Sequence, residues 1–119
     1  MVVVVDDDEA FRAAVQRLLK SADFQVRSFA SAEDFLASGL HHETACLIAD
    51  IRMPGLSGLD LQAKLNADQC PIPIIFITAH GDEQMRLQAM RGGAVKFLGK
   101  PFDCAILLES VRAALGNES

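Results

Sequence analysis

The stretch VVVVDDD at residues 2–8 decides the fold, because four consecutive valines run directly into three aspartates. Three later stretches follow the same plan, in which a short apolar run leads to a chemically useful residue: CLIAD at 46–50, IIFIT at 74–78 and VKFLGKP at 95–101. Short runs rich in β-branched residues and without polar alternation are typical of strands buried on both faces. In an open parallel sheet the carboxyl ends of all strands lie at one edge, where ligands bind. We therefore expect carboxylates, a hydroxyl and an ammonium group to meet at one edge of a sheet.

Composition narrows the class of protein. The 119 residues are half apolar and carry a formal net charge of −5, which is typical of one domain with a packed core. No apolar run approaches the ~20 residues of a membrane span, and the first five residues do not form a signal peptide, so we expect no membrane association and a cytoplasmic location. The three cysteines show neither metal-ligand nor CxxC spacing and are predicted to be reduced thiols. Since basic residues are scattered, no direct nucleic-acid binding is expected.

Strand and helix patterns alternate along the whole chain. The predicted strands cover residues 2–5, 25–29, 45–50, 74–78 and 95–98; the predicted helices cover 9–22, 31–39, 57–66 and 83–91 and a last helix opened by Pro101 and Asp103. Met85 and Met90 are expected to fill the core from the fourth helix. This alternation predicts an α/β fold of the (βα)₅ flavodoxin-like type, with a parallel sheet in the order 2-1-3-4-5 and helices on both faces. Residues 1–119 form one domain, with 116–119 as a tail or the start of a linker.

The predicted edge of the sheet is acidic. Asp6, Asp7 and Asp8 cannot all point inward, because consecutive residues alternate in direction at the end of a strand. Strands one and three are neighbours in the predicted order, so the first aspartates lie beside Asp50. Crowded carboxylates raise one another's pKa unless a cation is present, and an all-oxygen ligand set favours Mg²⁺. Asp50 is then placed to act as a nucleophile toward a phosphoryl group.

Several residues have a simpler interpretation beside the functional one. A single aspartate at the end of a strand is usually a helix cap, and a single threonine or lysine carries no signal; the functional hypothesis rests on four strand ends together. His41 and His42 are adjacent and cannot face one metal site from a regular element, so a solvated loop is favoured. Arg52 and His80 each lie two residues beyond a predicted site residue, and for them lining the mouth of the site and simple solvation remain open alternatives.

Over its whole length the chain resembles the receiver domain of two-component response regulators. The resemblance rests on several motifs in order and at matching spacing: VDD at 5–7, Asp50 followed by MPG at 53–55 and SG at 57–58, TA at 78–79 and KPF at 100–102. Further stretches resemble the FixJ-type subfamily, whose members usually carry a C-terminal helix-turn-helix: SAEDFL at 31–36, TAHGD at 78–82 and GAVKFLGKPF at 93–102.

The resemblance implies a role for each acidic residue. Asp50 is the phosphoacceptor, Asp7 is a direct ligand of Mg²⁺ or Mn²⁺, and Asp6 acts largely through water. The main-chain carbonyl of Arg52 is the third protein ligand of the ion. Asp8 is a third acid at a position where the family has Glu or another residue.

The resemblance also implies roles around the phosphoryl group. Thr78 and Lys100 contact it, and the bond between Lys100 and Pro101 is expected to be cis. Phe97 corresponds to the switch aromatic, which turns inward when Thr78 moves toward the phosphoryl oxygens. Arg52 and His80 are expected to tune how long the phosphate survives, because side chains at the mouth of the site can exclude water.

The function implied is a phosphorylation-dependent signalling switch rather than an enzyme acting on external substrates. The implied partners are a sensor histidine kinase, the chain's own or a tethered output domain that controls transcription, and a second copy of the chain in a phosphorylation-dependent homodimer. A haloacid dehalogenase-type phosphohydrolase needs a second acid where this chain has Arg52. A flavodoxin-like electron carrier needs a phosphate loop where this chain has three aspartates. A receiver-like scaffold that is never phosphorylated is the remaining alternative.

Overall fold

The computed structural model describes residues 1–79 and 81–116; His80 and residues 117–119 of the predicted tail lie outside the described residues. Within the described part, strands and helices alternate as predicted. The strands are β1 (Val2–Val5), β2 (Val26–Phe29), β3 (Cys46–Ala49), β4 (Ile74–Thr78) and β5 (Lys96–Gly99); the helices are α1 (Glu9–Ser21), α2 (Ala32–Ser38), α3 (Gly58–Ala67), α4 (Glu83–Arg91) and α5 (Cys104–Ala114). A short 3₁₀ helix, Leu40–Glu43, which the sequence analysis did not predict, precedes β3.

The strands form one parallel sheet in the order β2-β1-β3-β4-β5, which confirms the predicted topology. Val5 pairs with Phe29 on one side and with Ala49 on the other, so β1 and β3 end at the same level. Asp6 and Asp50 are the next residues along these two strands. The register therefore places both carboxylates side by side at the carboxyl edge of the sheet.

The valine run supplies both faces of the sheet, because successive side chains of a strand point in opposite directions. Val3 and Val5 belong to a core that α2, α3 and α4 cover with Phe35, Leu61 and Ala89 among others. Val2 and Val4 belong to a second core, which α1 and α5 cover with Val15, Leu19, Leu107 and Val111. All residues of β1, β3 and β4 are buried. The central strands thus form a rigid platform beneath the carboxyl edge.

Polar residues set where the helices begin. The side chains of Asp8, Ser31, Ser57, Asp82 and Asp103 each accept a hydrogen bond from a backbone N–H of the first turn, satisfying a donor that would otherwise lack a partner. The last helix therefore begins after Asp103, and Pro101 lies before it. β5 begins one residue later than predicted, although the N–H of Val95 still donates to the carbonyl of Ile74 at 2.8 Å.

Helix α4 is weakly packed. Ala89 is its buried residue, and Met85 packs half-buried against the core. The prediction that Met90 fills the core is wrong, because Met90 is 40% exposed and Leu87 is 39% exposed. The helix thus packs on the core through Ala89 and Met85, and its outer side keeps apolar groups in solvent.

The carboxyl end of α4 is nevertheless held by α3. The buried Gln62 donates from Nε2 to the carbonyl of Ala89 at 2.9 Å, and Asn66 donates from Nδ2 to the carbonyl of Gly92 at 2.9 Å. A Cβ at Gly92 would collide with the Gln62 amide, so the two helices meet closely at this point. Two side-chain amides therefore replace the apolar packing that α4 lacks.

The cysteines are free thiols in three different environments. Cys46 is buried in β3, and burial raises the pKa of its thiol to about 12. Cys70 is half-buried, and Cys104 is exposed at the start of α5. None of the helices in the described part of the chain is long and apolar enough to cross a membrane.

Candidate functional site

The carboxyl edge of the sheet holds a lysine between two aspartates. Lys100 Nζ donates to Asp6 Oδ2 at 2.9 Å and to Asp50 Oδ2 at 2.9 Å. The side chains of Asp6, Asp50 and Lys100 are 0%, 10% and 17% exposed. Lys100 comes from the far end of the chain, and its backbone N–H donates to the carbonyl of Thr78 at 3.0 Å. The predicted meeting of carboxylates and ammonium at one edge is therefore present in the structure.

The segment that begins α1 holds Asp6 in place. Asp6 Oδ1 accepts a hydrogen bond from the N–H of Asp8 at 2.9 Å. The main-chain carbonyl of Asp6 accepts from Arg12 Nη1 at 2.6 Å. Asp8 points away from the pocket, because its carboxylate caps α1. Both carboxylate oxygens of Asp6 are thus engaged, and of the two exposed acids, Asp7 and Asp8, Asp7 is the one that does not cap α1.

The loop after β3 is held at both ends. Asp50 Oδ1 accepts from the N–H of Arg52 at 3.1 Å, and the N–H of Gly58 donates to the carbonyl of Ile51 at 2.9 Å. On the outer side, Glu33 Oε2 accepts from the N–H of Leu56 at 2.9 Å. Gly55, at φ +77°, lies against the same carboxylate, where a Cβ would collide. Hydrogen bonds therefore define the backbone that carries Arg52.

Burial and the hydrogen bonds between Lys100 and the aspartates have opposite effects on the pKa values in this pocket. The pKa of Asp6 is raised above its usual value. Burial and the neighbouring charge of Asp50 raise it by more than the hydrogen bonds from Lys100 and Asp8 lower it. Burial alone would lower the pKa of Lys100, but its hydrogen bonds and charge interactions with Asp6 and Asp50 outweigh burial and raise it. The ammonium therefore remains charged and offsets part of the repulsion between the carboxylates.

The three carboxylates form a group that could hold a metal ion. Asp6, Asp7 and Asp50 each offer an oxygen, and these atoms lie within 4.8 Å of one another. Oxygen donors of this kind suit a hard divalent cation such as Mg²⁺. Among the described residues, no other group of three or more His, Cys, Asp or Glu side chains has ligand atoms this close together. The residues present therefore fit the predicted ion.

Thr78 is the last residue of β4, and its carbonyl accepts from the N–H of Lys100, whereas Phe97 is the second residue of β5. Thr78 is buried at 3% exposure, whereas Phe97 is half-buried. A Cβ added at Gly81 would lie 2.7 Å from Phe97 Cζ and 2.8 Å from Thr78 Cγ2. The ring of Phe97 therefore packs directly over Gly81 in the loop before α4. The absence of a side chain at this position leaves space for the ring.

The structure brings together most of the predicted site and separates the rest. Asp6, Asp7, Asp50 and Lys100 share the pocket, Thr78 joins it through a backbone hydrogen bond with Lys100, and Phe97 lies beside Thr78. Arg52 is exposed, and its N–H donates to Asp50. His80 lies outside the described residues. His41 and His42 lie on the 3₁₀ helix before β3, where His41 packs half-buried against Phe35 at a ring distance of 6.3 Å instead of in a solvated loop.

Sequence reasoning missed three residues that contact the site or its loops: Phe11, Arg12 and Glu33. Phe11 is one of the apolar residues of α1, and the centre of its ring lies 4.3 Å from Lys100 Nζ. Phe11 and Arg12 lie three and four residues after the cap at Asp8. This distance is one helical turn, so their side chains lie near the end of the preceding strand. Glu33 contacts a loop more than twenty residues away, and no local pattern indicates such a contact.

Comparison with known proteins agrees with this geometry. Residues 2–112 match the response regulator receiver domain family. The chain is 48% identical over 114 residues to nodulation protein W of Bradyrhizobium diazoefficiens, which covers 96% of this chain and 50% of that protein. It is 42% identical over 116 residues to the transcriptional regulatory protein FixJ of Azorhizobium caulinodans, covering 98% and 55%. The chain thus spans about half the length of the curated relatives it matches.

Solved structures have the same architecture. The structure described as FixJ-N is 37% identical, with a TM-score of 0.86 over 99% of this chain and 94% of that one. A receiver protein from Pseudoalteromonas atlantica is 27% identical, with a TM-score of 0.91 over 99% and 98%. Receiver domains of response regulators are signalling domains that interact with histidine kinases and output domains. The fold, the acidic pocket and the match over residues 2–112 establish that this chain belongs to the response regulator receiver domain family.

Proposed function

We propose that this chain is a phosphorylation-controlled switch in which Asp50 accepts a phosphoryl group from the phosphohistidine of a sensor histidine kinase. The observation that carries the proposal is the ammonium of Lys100, 2.9 Å from both Asp50 and Asp6, within a group of three carboxylates. A carboxylate that is to become an acyl phosphate needs nearby positive charge to offset the charge of the incoming group. Lys100 supplies that charge, because its ammonium lies beside Asp50, the predicted nucleophile.

The transfer balances without another reactant. A carboxylate oxygen of Asp50 forms a bond to phosphorus while the bond between phosphorus and the histidine nitrogen breaks. The electron pair of that bond remains on the ring, whose other nitrogen carries a proton, so the leaving group is neutral imidazole. Lys100 donates to the phosphoryl oxygens in a charge-assisted hydrogen bond, and the Thr78 hydroxyl is a further donor. The chain thus promotes its own phosphorylation and later hydrolysis, and acts on no external substrate.

We propose Mg²⁺ or Mn²⁺ as the cofactor, with Asp7, Asp50 and the main-chain carbonyl of Arg52 as its protein ligands. A bound ion neutralises charge between the carboxylates and the phosphoryl oxygens. Asp6 acts through water, a role supported by the fact that Lys100 and Asp8 already donate to both of its carboxylate oxygens. Exposed Asp7 has the freedom to bind the ion directly.

The test is phosphorylation by acetyl phosphate, followed by intact-mass spectrometry. We expect one phosphoryl group per chain in the presence of Mg²⁺, none after chelation and none in Asp50→Asn. Asp34→Asn is a matched control, because Asp34 is an exposed aspartate in the first turn of α2. Incorporation into Asp50→Asn would contradict the assignment, and no incorporation into the wild type would favour an unphosphorylated scaffold.

For the output, we propose that Thr78 and Phe97 transmit the change at Asp50 to the surface formed by α4, β5 and α5. Thr78 moves toward the phosphoryl oxygens, and Phe97 turns into the space that it leaves. Close packing of Phe97, Thr78 and Gly81 supports such coupling, since a shift of one displaces the others. Exposed Leu87, Met90 and Ile106 make this surface suitable for a second copy of the chain.

Beryllofluoride with Mg²⁺, a stable mimic of the phosphorylated aspartate, tests the output proposal. We expect amide shifts around β5 and a monomer-to-dimer change in sedimentation velocity. Absence of both would contradict the proposal. Amide shifts without dimerisation would indicate that an output domain is the partner instead.

The wider protein is proposed from its relatives. Because the relatives named above are about twice as long and one is a transcriptional regulatory protein, we propose that a helix-turn-helix output domain controls transcription in the full regulator. The receiver itself binds no nucleic acid in this proposal, and a cytoplasmic location stays a prediction. A phosphohydrolase is disfavoured, because Arg52 stands where that class has its second acid. Expression of the whole regulator with a target promoter tests the output.

A further inference from the structure

The ammonium of Lys100 has an aromatic contact besides its two carboxylates. Lys100 Nζ lies 4.3 Å from the centre of the Phe11 ring. This distance is within the range in which the negative face of an aromatic ring attracts a cation. Phe11 in turn contacts Phe102 edge to face, with ring centres 5.6 Å apart and planes at 83°. The lysine therefore lies against a supported aromatic ring.

The acidic segment itself places the Phe11 ring. Asp8 Oδ1 accepts from the N–H groups of Ala10 and Phe11 at 3.0 and 3.2 Å, and the N–H of Asp8 donates to Asp6. The first turn of α1 is thereby joined to the carboxylate that contacts Lys100. Phe102, two residues after Lys100, supports the ring from the other end of the chain. Both segments that meet at the lysine also fix the ring.

The side chain of Lys100 needs such a contact, although the hydrogen bond from its N–H to the carbonyl of Thr78 holds its backbone. The preceding residue is Gly99, around which a Cβ would meet no atom within 4 Å. A lysine side chain also has four rotatable bonds and loses considerable entropy when it is held in one position. Its remaining partners, Asp6 and Asp50, are the residues that the proposed ion and phosphoryl group would engage. The ring is the contact that does not change chemically when Asp50 is phosphorylated.

We propose that Phe11 is a positioning residue for phosphoryl transfer, whose ring keeps the ammonium of Lys100 beside Asp50. This inference rests on the proposed roles of Asp50 and Lys100. A ring face attracts the ammonium without neutralising it, so the charge stays available to phosphoryl oxygens, unlike in a third ion pair. An aliphatic side chain at this position fills space but does not hold the cation.

Three variants separate positioning from packing. Phe11→Leu removes the ring, Phe11→Tyr keeps an aromatic face, and Phe24→Leu removes a half-buried phenylalanine beyond the other end of α1. We expect the initial rate of phosphorylation by acetyl phosphate at saturating Mg²⁺ to fall about three- to tenfold in Phe11→Leu. The rates of Phe11→Tyr and Phe24→Leu should remain near that of the wild type.

A second measurement reads the contact without any phosphorylation. In the metal-free protein, the ring should shift the NMR signals of the Lys100 ε-methylene protons upfield, and Phe11→Leu should return them to ordinary lysine positions. A wild-type rate in Phe11→Leu, an equal loss in Phe24→Leu or an unshifted ε-methylene signal would overturn the inference. If Phe11→Leu does not fold, Phe11→Met replaces it. A wild type that takes up no phosphoryl group would instead contradict the proposed function.

Discussion

The two halves of the carboxyl edge differ in how firmly they are held. Around the ends of β1 and β3, strand residues are fully buried. Asp8, Arg12 and Lys100 donate hydrogen bonds to Asp6, and Glu33 accepts one from the loop after β3. Around β5 and α4, the strand is half-buried, and the helix buries Ala89 alone among its described residues. One half is a fixed pocket, and the other is a lightly packed surface.

The two halves suit different steps of the proposed function. Phosphoryl transfer needs charges held in place, because preorganised groups stabilise the transition state without rearranging. A signal needs an element with two arrangements of similar free energy, and such elements come from the weakly packed parts of a domain. Thr78 belongs to the buried strand β4 and also adjoins the packing of Phe97 on Gly81, so it lies where the two halves meet.

The largest expected effect breaks the fixed pocket. Asp7→Ala should weaken Mg²⁺ binding about 100-fold, because it removes a negatively charged ligand from a site with few protein ligands. Since Asp7 is exposed, the fold should remain stable. Titration of Mg²⁺ by calorimetry measures the affinity, with Asp34→Ala as the matched control. Wild-type affinity in Asp7→Ala would contradict its role as a ligand.

A smaller effect is expected at the mouth of the pocket. Arg52→Ala and His80→Ala should change the rate of dephosphorylation by up to about tenfold, because a change of about 1.4 kcal/mol in the barrier is tenfold in rate. Arg52 is exposed, and its N–H donates to Asp50 Oδ1 at 3.1 Å. Decay of the purified phosphoprotein, followed over time, measures the rate. Wild-type decay in both variants would show that these side chains are merely solvated.

The smallest effect concerns the lightly packed half. Gln62→Ala should lower the free energy of unfolding by about 0.5–1.5 kcal/mol, because the carbonyl of Ala89 loses one of its two donors and keeps the N–H of Ala94. Amide hydrogen exchange should rise in α4, while the rate of phosphorylation should change little. Urea unfolding and exchange measure both, and Gln88→Ala, on the exposed side of α4, is the control. Unchanged exchange in α4 would show that Gln62 does not anchor the helix.

Local patterns were sufficient for much of the fold. The prediction of a helix over 83–91 matches α4, because an N-cap at Asp82 and a glycine pair after Arg91 mark its two ends locally. The prediction for β4 matches as well. The prediction for Met90 failed because helical spacing shows that a residue can face a core, but not how closely the helix approaches the sheet.

The amino-acid sequence by itself determined the order of elements, the acidic edge and the convergence of Asp6, Asp50 and Lys100, because parallel strands open at one edge whatever the details of packing. Only the tertiary structure decided what surrounds Lys100 and α4. Phe11 contacts Lys100, Glu33 accepts from Leu56, and Gln62 donates to Ala89, and in each pair the two residues are distant in the chain. Such contacts depend on distances between packed elements, and no periodicity in a sequence encodes those distances.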